Sequence, residues 1–348
     1  MNDTRPVRAS EQLDWEKLAD YLRRELNLGG EMAVTQFPGG HSNLTYDLRF
    51  GDFELVLRRP PFGPVPPRAH DMAREYRVLA AVHPHFPLAP RPYLLCEDAS
   101  VIGSLFYVME RRRGIVIRTD EPPSFNEELR RRVSGSMIDT LAELHAIDVA
   151  AHGLDALGKP AGFVARQIRG WTERWQGSKT GDVPDMEWLG RWLLQGLEEE
   201  RIPNDPPRAT LVHGDYKLDN VMLDESEPSK LAGVFDWEMS AIGDPLVDLG
   251  IILCYWVHAA GDHDAIPSVT KRPGWFTRGE IIERYASASG IDVANIALYE
   301  VFAVFKLAVV IQQIYARFVR GQTDDPRFEP LGARVIDLAR IARRLAET

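Results

Sequence analysis

The chain has 348 residues, 45% of them hydrophobic and 26% charged, with a formal net charge of −10; that length suits two lobes better than one core. The composition is that of an ordinary soluble globular protein, and with no long basic run it offers nucleic acid no concentrated cationic face. Cys96 and Cys254, the only two cysteines, form no CxxC pair, so they support neither a zinc ribbon nor a disulfide framework and fit a reducing, cytoplasmic setting.

The opening residues, MNDTRPVRASEQ, lack the apolar stretch of a signal peptide. Ser10 to Leu28 reads as a helix, with Ser10 as cap, Leu13, Trp15, Leu18, Leu22 and Leu26 near helical spacing, and Gly29-Gly30 as its end. Three β-like runs follow, Met32 to Phe37, Leu44 to Phe50 and Phe53 to Arg59; Gly51-Asp52 separates the last two as a tight hairpin would. After a proline-rich loop, a helix is expected from Arg68 to Val82, then strands at Tyr93 to Glu97 and Leu105 to Glu110. Beyond Arg113 the pattern is helical. Helices are expected at Asn126 to Ile147, Gly162 to Trp175, Met186 to Arg201, Pro245 to Ala259, Arg278 to Ser289, Val293 to Val319 and Leu331 to Leu345. Short strands and a tight loop interrupt them from Thr210 to Asp236. The apolar run from Val301 to Val319 carries Lys306, Gln312, Gln313 and Arg317 and reads as a buried core helix, since a bilayer tolerates such groups badly. The expected class is α+β and bilobal: a small antiparallel sheet with one helix over 1–110, and a larger, mainly helical lobe over 111–348.

The most informative segment is Leu211-Val-His-Gly-Asp-Tyr-Lys-Leu-Asp-Asn-Val-Met-Leu-Asp224. A short apolar strand delivers His213 and Asp215 into a turn, Asn220 follows five residues after Asp215, and a second apolar strand, Leu231 to Phe235, delivers Asp236. Phosphoryl transfer needs one carboxylate near the acceptor hydroxyl and oxygen ligands for a metal that bridges the phosphates. Mg²⁺ is hard and takes one or two such oxygens from protein. Asp215 as base, with Asn220 and Asp236 as ligands, meets that minimum. His213 reads as a brace for this loop. Asp244 is expected to cap the helix that begins at Pro245, and Asp248, one turn on, to brace the catalytic loop. The pairs His83/His85 and His258/His263 lack a third ligand at metal spacing.

The HxDxxxxN pattern followed by Val-Phe-Asp-Trp resembles the catalytic loop and metal-binding aspartate of the protein-kinase-like fold. The version here, His213-Gly214-Asp215 with Asp236-Trp237-Glu238 in place of DFG, is similar to the aminoglycoside phosphotransferase superfamily. Gly39 to Tyr46, Leu55 to Pro61, Arg74 to Leu79, Phe106 to Glu110, Leu141 to His145 and Gly243 to Leu249 fit it in order. Leu144 to Val149 with Gly153-Leu154, Gln167 and Trp171 is similar to one branch, the kinase-like domain fused to some acyl-CoA dehydrogenases and its free-standing bacterial relatives.

The resemblance implies a role for each matched residue. Asp215, with His213 beside it, orients or deprotonates the acceptor hydroxyl, and Asn220 and Asp236 hold Mg²⁺. Gly40, His41, Ser42 and Asn43 form the loop over the phosphates of ATP or GTP, Glu75 pairs with the phosphate-binding cation, and backbone from Glu110 to Arg112 meets the nucleobase. Nucleotide is expected in the cleft between the lobes. At the third-strand position where kinases carry lysine stands Arg58, which keeps the charge in a planar, forked form; alternation puts Arg58 and Arg59 on opposite faces. The expected activity is transfer of the γ-phosphate to a hydroxyl of a small acceptor, whether aminoglycoside-like, a hydroxyacyl thioester or another metabolite, without nucleic acid or membrane partners. The alternative, motivated by Arg58 and the thin glycine loop, is a nucleotide- or metabolite-binding pseudokinase.

Overall fold

The structure is a computed structural model that describes residues 3–38, 43–62, 71–203, 205–206, 208–256 and 269–348. The chain divides into two units, Met1–Gly114 with Ala232–Glu238, and Ile115–Leu231 with Met239–Thr348.

In the first unit, α1 (Trp15–Leu26) precedes the strands β1 (Met32–Gln36), β2 (Leu44–Phe50) and β3 (Phe53–Arg59), then α2 (Met72–Val82), β4 (Pro92–Cys96) and β5 (Phe106–Glu110). The sheet has the order β1-β2-β3-β5-β4, with every neighbouring pair antiparallel. Strand alternation sorts its residues. Leu44, Tyr46, Leu48, Leu55, Leu57, Phe106 and Val108 share one core with Leu18 and Leu22 of α1, each large apolar side chain contributing about 1.5–3 kcal/mol on burial. Arg58 and Tyr107, paired across β3 and β5, belong to the alternate positions.

Some boundaries differ from expectation. Ser10 does not cap α1; it lies in a short 3₁₀ turn, Ala9–Glu11, and Asp14 is the cap, its carboxylate accepting from Lys17 N at 3.0 Å. The helix stops before Gly29-Gly30 because Asn27 adopts a left-handed conformation with φ 52°. The expected start of α2 at Arg68 lies outside the described residues, and Asp71 caps the helix by accepting from Arg74 N at 2.9 Å.

The second unit holds α3 (Glu127–Ala146), α4 (Phe163–Ser178), α5 (Pro184–Glu198), β6 (Thr210–Val212) and β7 (Val221–Leu223). At β8 (Leu231–Val234) the chain passes to the first unit; it returns at β9 (Ala241–Gly243), followed by α6 (Leu246–Trp256), α7 (Arg278–Ser289), α8 (Ile296–Val319) and α9 (Leu331–Ala346). α5 starts two residues earlier than expected, with Pro184 in its first turn, a position that needs no backbone N–H. α8 is long and apolar enough to cross a bilayer by length and composition, yet it packs against α4, α6 and α9. Two of the four polar groups are engaged inside the unit, Lys306 Nζ donating to Gly214 O at 2.7 Å and Gln312 Nε2 to Ser178 O at 2.9 Å, while Gln313 and Arg317 are exposed. It is the core helix of this unit.

Candidate active site

The catalytic-loop segment leaves β6, which pairs antiparallel with β9, and its backbone is fixed from several sides. Asp248 of α6 is buried, and its two carboxylate oxygens accept from His213 N and Gly214 N, both at 2.7 Å. His145 Nε2 lies 3.2 Å from the same carboxylate, and its Nδ1 lies 2.7 Å from the Tyr285 hydroxyl. Burial alone would raise the Asp248 pKa; the hydrogen bonds and the charge of His145 outweigh it and hold it below the ordinary carboxylate value. Lys306 Nζ holds the Gly214 carbonyl, and Ser240 Oγ donates to His213 O at 3.1 Å. His213 is itself buried, with Nδ1 accepting from Asp215 N at 3.2 Å, the geometry of a brace.

Gly214 is required by this geometry. Its φ is +83°, and a Cβ there would meet the Met239 carbonyl oxygen at 2.6 Å. Gly214→Ala is expected to cost about 2 kcal/mol or more, since the left-handed conformation alone costs an L-residue about 1–2 kcal/mol; urea unfolding of the variant measures it.

Asp215 is partly exposed, its side chain retaining 23% of its accessible surface. Asn220 Nδ2 donates to its backbone oxygen at 2.9 Å and to its Oδ2 at 2.8 Å, and Lys217 Nζ donates to Oδ2 at 2.8 Å. The Asn220 amide nitrogen is thus committed to Asp215, which leaves Oδ1 as the acceptor end of the side chain.

In the first unit, Arg58 is almost buried and joins two carboxylates: Nη1 lies 2.9 Å from Glu75 Oε1 and Nη2 lies 3.1 Å from Asp236 Oδ1. Burial opposes charge on Arg58, but Glu75, Asp236 and Glu238 more than offset it and keep the guanidinium protonated. Burial pushes the Glu75 carboxyl up to about 7, with Arg58 pulling the other way. At 2.9 Å from a permanently charged guanidinium, we read the pair as ionised. Asp236 has φ +67°, rare for a residue with a Cβ and costly enough to need support from its surroundings. That support includes Arg58 and its neighbour Trp237, which is buried edge-on against Phe86 with Nε1 donating to Val234 O at 2.8 Å.

Asn43 Nδ2 donates to Glu238 Oε2 at 3.2 Å; Gly40, His41 and Ser42 lie outside the described residues. Arg112 has its guanidinium committed to Glu110 Oε2 at 2.9 Å and the Ala232 carbonyl at 2.7 Å, so its side chain ties the returning segment to the sheet. Any part that Glu110 and Arg112 play at a nucleobase falls to their backbone. Asp244 caps α6, accepting from Leu246 N at 3.0 Å and from the Tyr299 hydroxyl at 2.6 Å. Sequence reasoning assigned no site role to Lys217, Lys306 or His145. Lys217 stands inside the HGDxxxxN segment, two residues after Asp215, so its position was a usable signal; Lys306 reaches the loop from α8 and leaves no local mark.

Among the described residues no group of three or more His, Cys, Asp or Glu is gathered for a metal.

The sequence matches the phosphotransferase enzyme family, APH, over residues 33–280. It is 33% identical to Acyl-CoA dehydrogenase family member 10 of Mus musculus over 98% of this chain. The chain spans only 32% to 42% of the length of the acyl-CoA dehydrogenase family members 10 and 11 that it matches. A crystal structure of a Ralstonia eutropha protein, described as a candidate aminoglycoside phosphotransferase, superimposes with a TM-score of 0.81 at 30% identity, covering 97% of this chain and 99% of that one. A thermostable mutant of aminoglycoside phosphotransferase APH(4)-Ia, in ternary complex with AMP-PNP and hygromycin B, has the same fold at a TM-score of 0.60 and 17% identity, covering 93% and 98%. The fold is the α+β, protein-kinase-like one that the motif order implies.

Proposed function

The chain belongs to the phosphotransferase enzyme family, and on that premise we propose that it moves the γ-phosphate of ATP or GTP to a hydroxyl of a small-molecule acceptor. The observation that carries this reading is the loop around Asp215. Asp248 clamps two successive backbone N–H groups, and Asn220 and Lys217 fix the Asp215 carboxylate. In the proposed reaction the acceptor oxygen bonds to the γ-phosphorus as the bond to the β–γ bridging oxygen breaks. The nucleoside diphosphate leaves with that electron pair, and Asp215 takes the acceptor's proton. Asn220 Oδ1 and the Asp236 carboxylate are the proposed Mg²⁺ ligands; the ion would neutralise charge on the β- and γ-phosphate oxygens. Arg58, anchored by Glu75, is the proposed phosphate-orienting cation.

Arg58 also motivates the second reading, a pseudokinase that binds nucleotide without turnover, because arginine and lysine present different shapes to a phosphate. Arg58→Lys and Arg58→Met separate the two. If Arg58 orients phosphates, turnover with Mg-ATP or Mg-GTP is expected to be altered but measurable in the lysine variant. It should fall by about 10²-fold or more in the methionine variant, the scale for losing one electrostatic stabiliser. A wild-type protein that binds nucleotide and stays inert across a broad acceptor panel, with Arg58→Lys equally inert, identifies the pseudokinase.

A further inference from the structure

The sign of the acceptor's charge can be read from a cavity in the second unit. It encloses about 280 Å³, just below the roughly 300–1,000 Å³ of ordinary small-molecule pockets, and so suits a compact ligand. One part of its wall is apolar, at Ile252, Leu307 and Ile311; another is cationic, at Arg118, Lys217 and Arg334. Lys217 connects the cavity to the loop, since its Nζ donates to Asp215 Oδ2 at 2.8 Å while lying 4.7 Å from the centroid of the Tyr255 ring.

Lys217 is thereby neutralised by Asp215. Arg118 and Arg334 are not held in this way: among the described residues neither side chain makes a hydrogen bond or close ion pair, although both line the cavity and the charge of Arg118 acts on Asp219 across it. Asp219 is the one carboxylate on the described wall, so among the described residues Arg118, Lys217 and Arg334 outnumber Asp219 and Asp215. A polyamine placed here would face two guanidinium groups that no close ion pair occupies, whereas a carboxylate or phosphate would meet donors shaped to bind it in pairs.

We propose that this cavity is the acceptor site and that the acceptor is an anion, its carboxylate or phosphate held by Arg118 and Arg334, a short apolar segment lying against Ile252, Leu307 and Ile311, and its hydroxyl reaching Asp215. The proposal rests on the phosphotransfer reading above, and it makes a polycationic aminoglycoside the wrong class of acceptor for this chain. Because Arg118 is exposed and Arg334 half-buried, the preference weakens as salt is raised.

The test uses a chain-length series of ω-hydroxy acids, their neutral methylamides, the matching amino alcohols and the coenzyme A thioesters of the same acids, all carrying the same terminal hydroxyl. With Mg-ATP, the best acid or thioester is expected to exceed its methylamide and amino alcohol in kcat/KM by about tenfold or more, the scale of one charge-assisted contact. The double variant Arg118→Glu, Arg334→Glu should reverse the order in favour of the amino alcohol, and Arg118→Gln, Arg334→Gln should level it if charge reversal prevents folding. Higher kcat/KM for the free acid assigns the anion to the carboxylate; higher kcat/KM for the thioester assigns it to the carrier's phosphates. Equal or better use of amides or amino alcohols, or an order unchanged in both double variants, overturns the proposal. If nothing in the series is phosphorylated, calorimetry separates the two readings. Acid or thioester binding that the glutamine variant loses keeps the anion site and counts against phosphotransfer; the absence of such binding overturns the anion site.

Discussion

Asp215→Asn is expected to lower phosphoryl-transfer turnover by about 10³-fold, in the middle of the 10²–10⁴ range for removing a positioned general base, while leaving nucleotide affinity within a few-fold of wild type. Asparagine keeps the shape of the side chain but cannot take the acceptor's proton. It also removes the anion to which Lys217 Nζ and Asn220 Nδ2 both donate at 2.8 Å. The side chain is partly exposed, so the thermal midpoint should change little. Steady-state kinetics with Mg-ATP, alongside calorimetric nucleotide binding, separate lost chemistry from lost binding. Turnover within a few-fold of wild type would remove Asp215 from the reaction.

Asp248→Ala should be the costliest substitution in the loop's support, at about 3 kcal/mol, because cutting a buried charged partner strands the groups that remain. Those groups are His213 N, Gly214 N and the ring of His145, all buried with Asp248. Since folding holds the Asp248 pKa below its unfolded value, its stabilisation is present in full above the unfolded carboxylate value of about 3.9. It is lost as pH falls through the lower folded value. Urea unfolding near neutral pH should therefore show the full deficit of Asp248→Ala, and the gap to wild type should close in strong acid. Asp248→Asn, which keeps one acceptor but sets an NH₂ against a backbone N–H, should fall between them. A neutral-pH deficit below about 0.5 kcal/mol, within the ordinary surface range, would contradict the clamp.

The parts of the fold that were legible in the sequence are those set by short-range pattern. Alternation along Phe53–Arg59 assigned Arg58 and Arg59 to opposite faces, and the structure sends Arg58 to Glu75 and Asp236 while Arg59 Nη1 donates to Ile102 O at 3.2 Å. Asp248 was readable as a brace because it follows Asp244 by one helical turn beside the loop motif. The start of α1 was not, because Ser10 and Asp14 both carry side chains able to cap a helix. The grouping of Ala232–Glu238 with the first unit was equally invisible, since it depends on Arg112 reaching the Ala232 carbonyl and on Val234 N donating to Leu88 O at 2.8 Å. Lys306 was noticed only as a charge unsuited to a bilayer, and its bond to Gly214 O spans 92 residues. The cavity wall has the same origin: Arg118 and Arg334 come from distant parts of the chain, and no local spacing joins them.

The central claim is phosphoryl transfer from a nucleotide to a hydroxyl, and phosphorus NMR of the wild-type protein with Mg-ATP or Mg-GTP and the acceptor series tests it most directly. The account predicts loss of the γ-phosphate resonance, growth of the nucleoside diphosphate and a new phosphomonoester signal, all absent with Asp215→Asn. Nucleotide that binds yet stays intact with every acceptor, and without one, would contradict it.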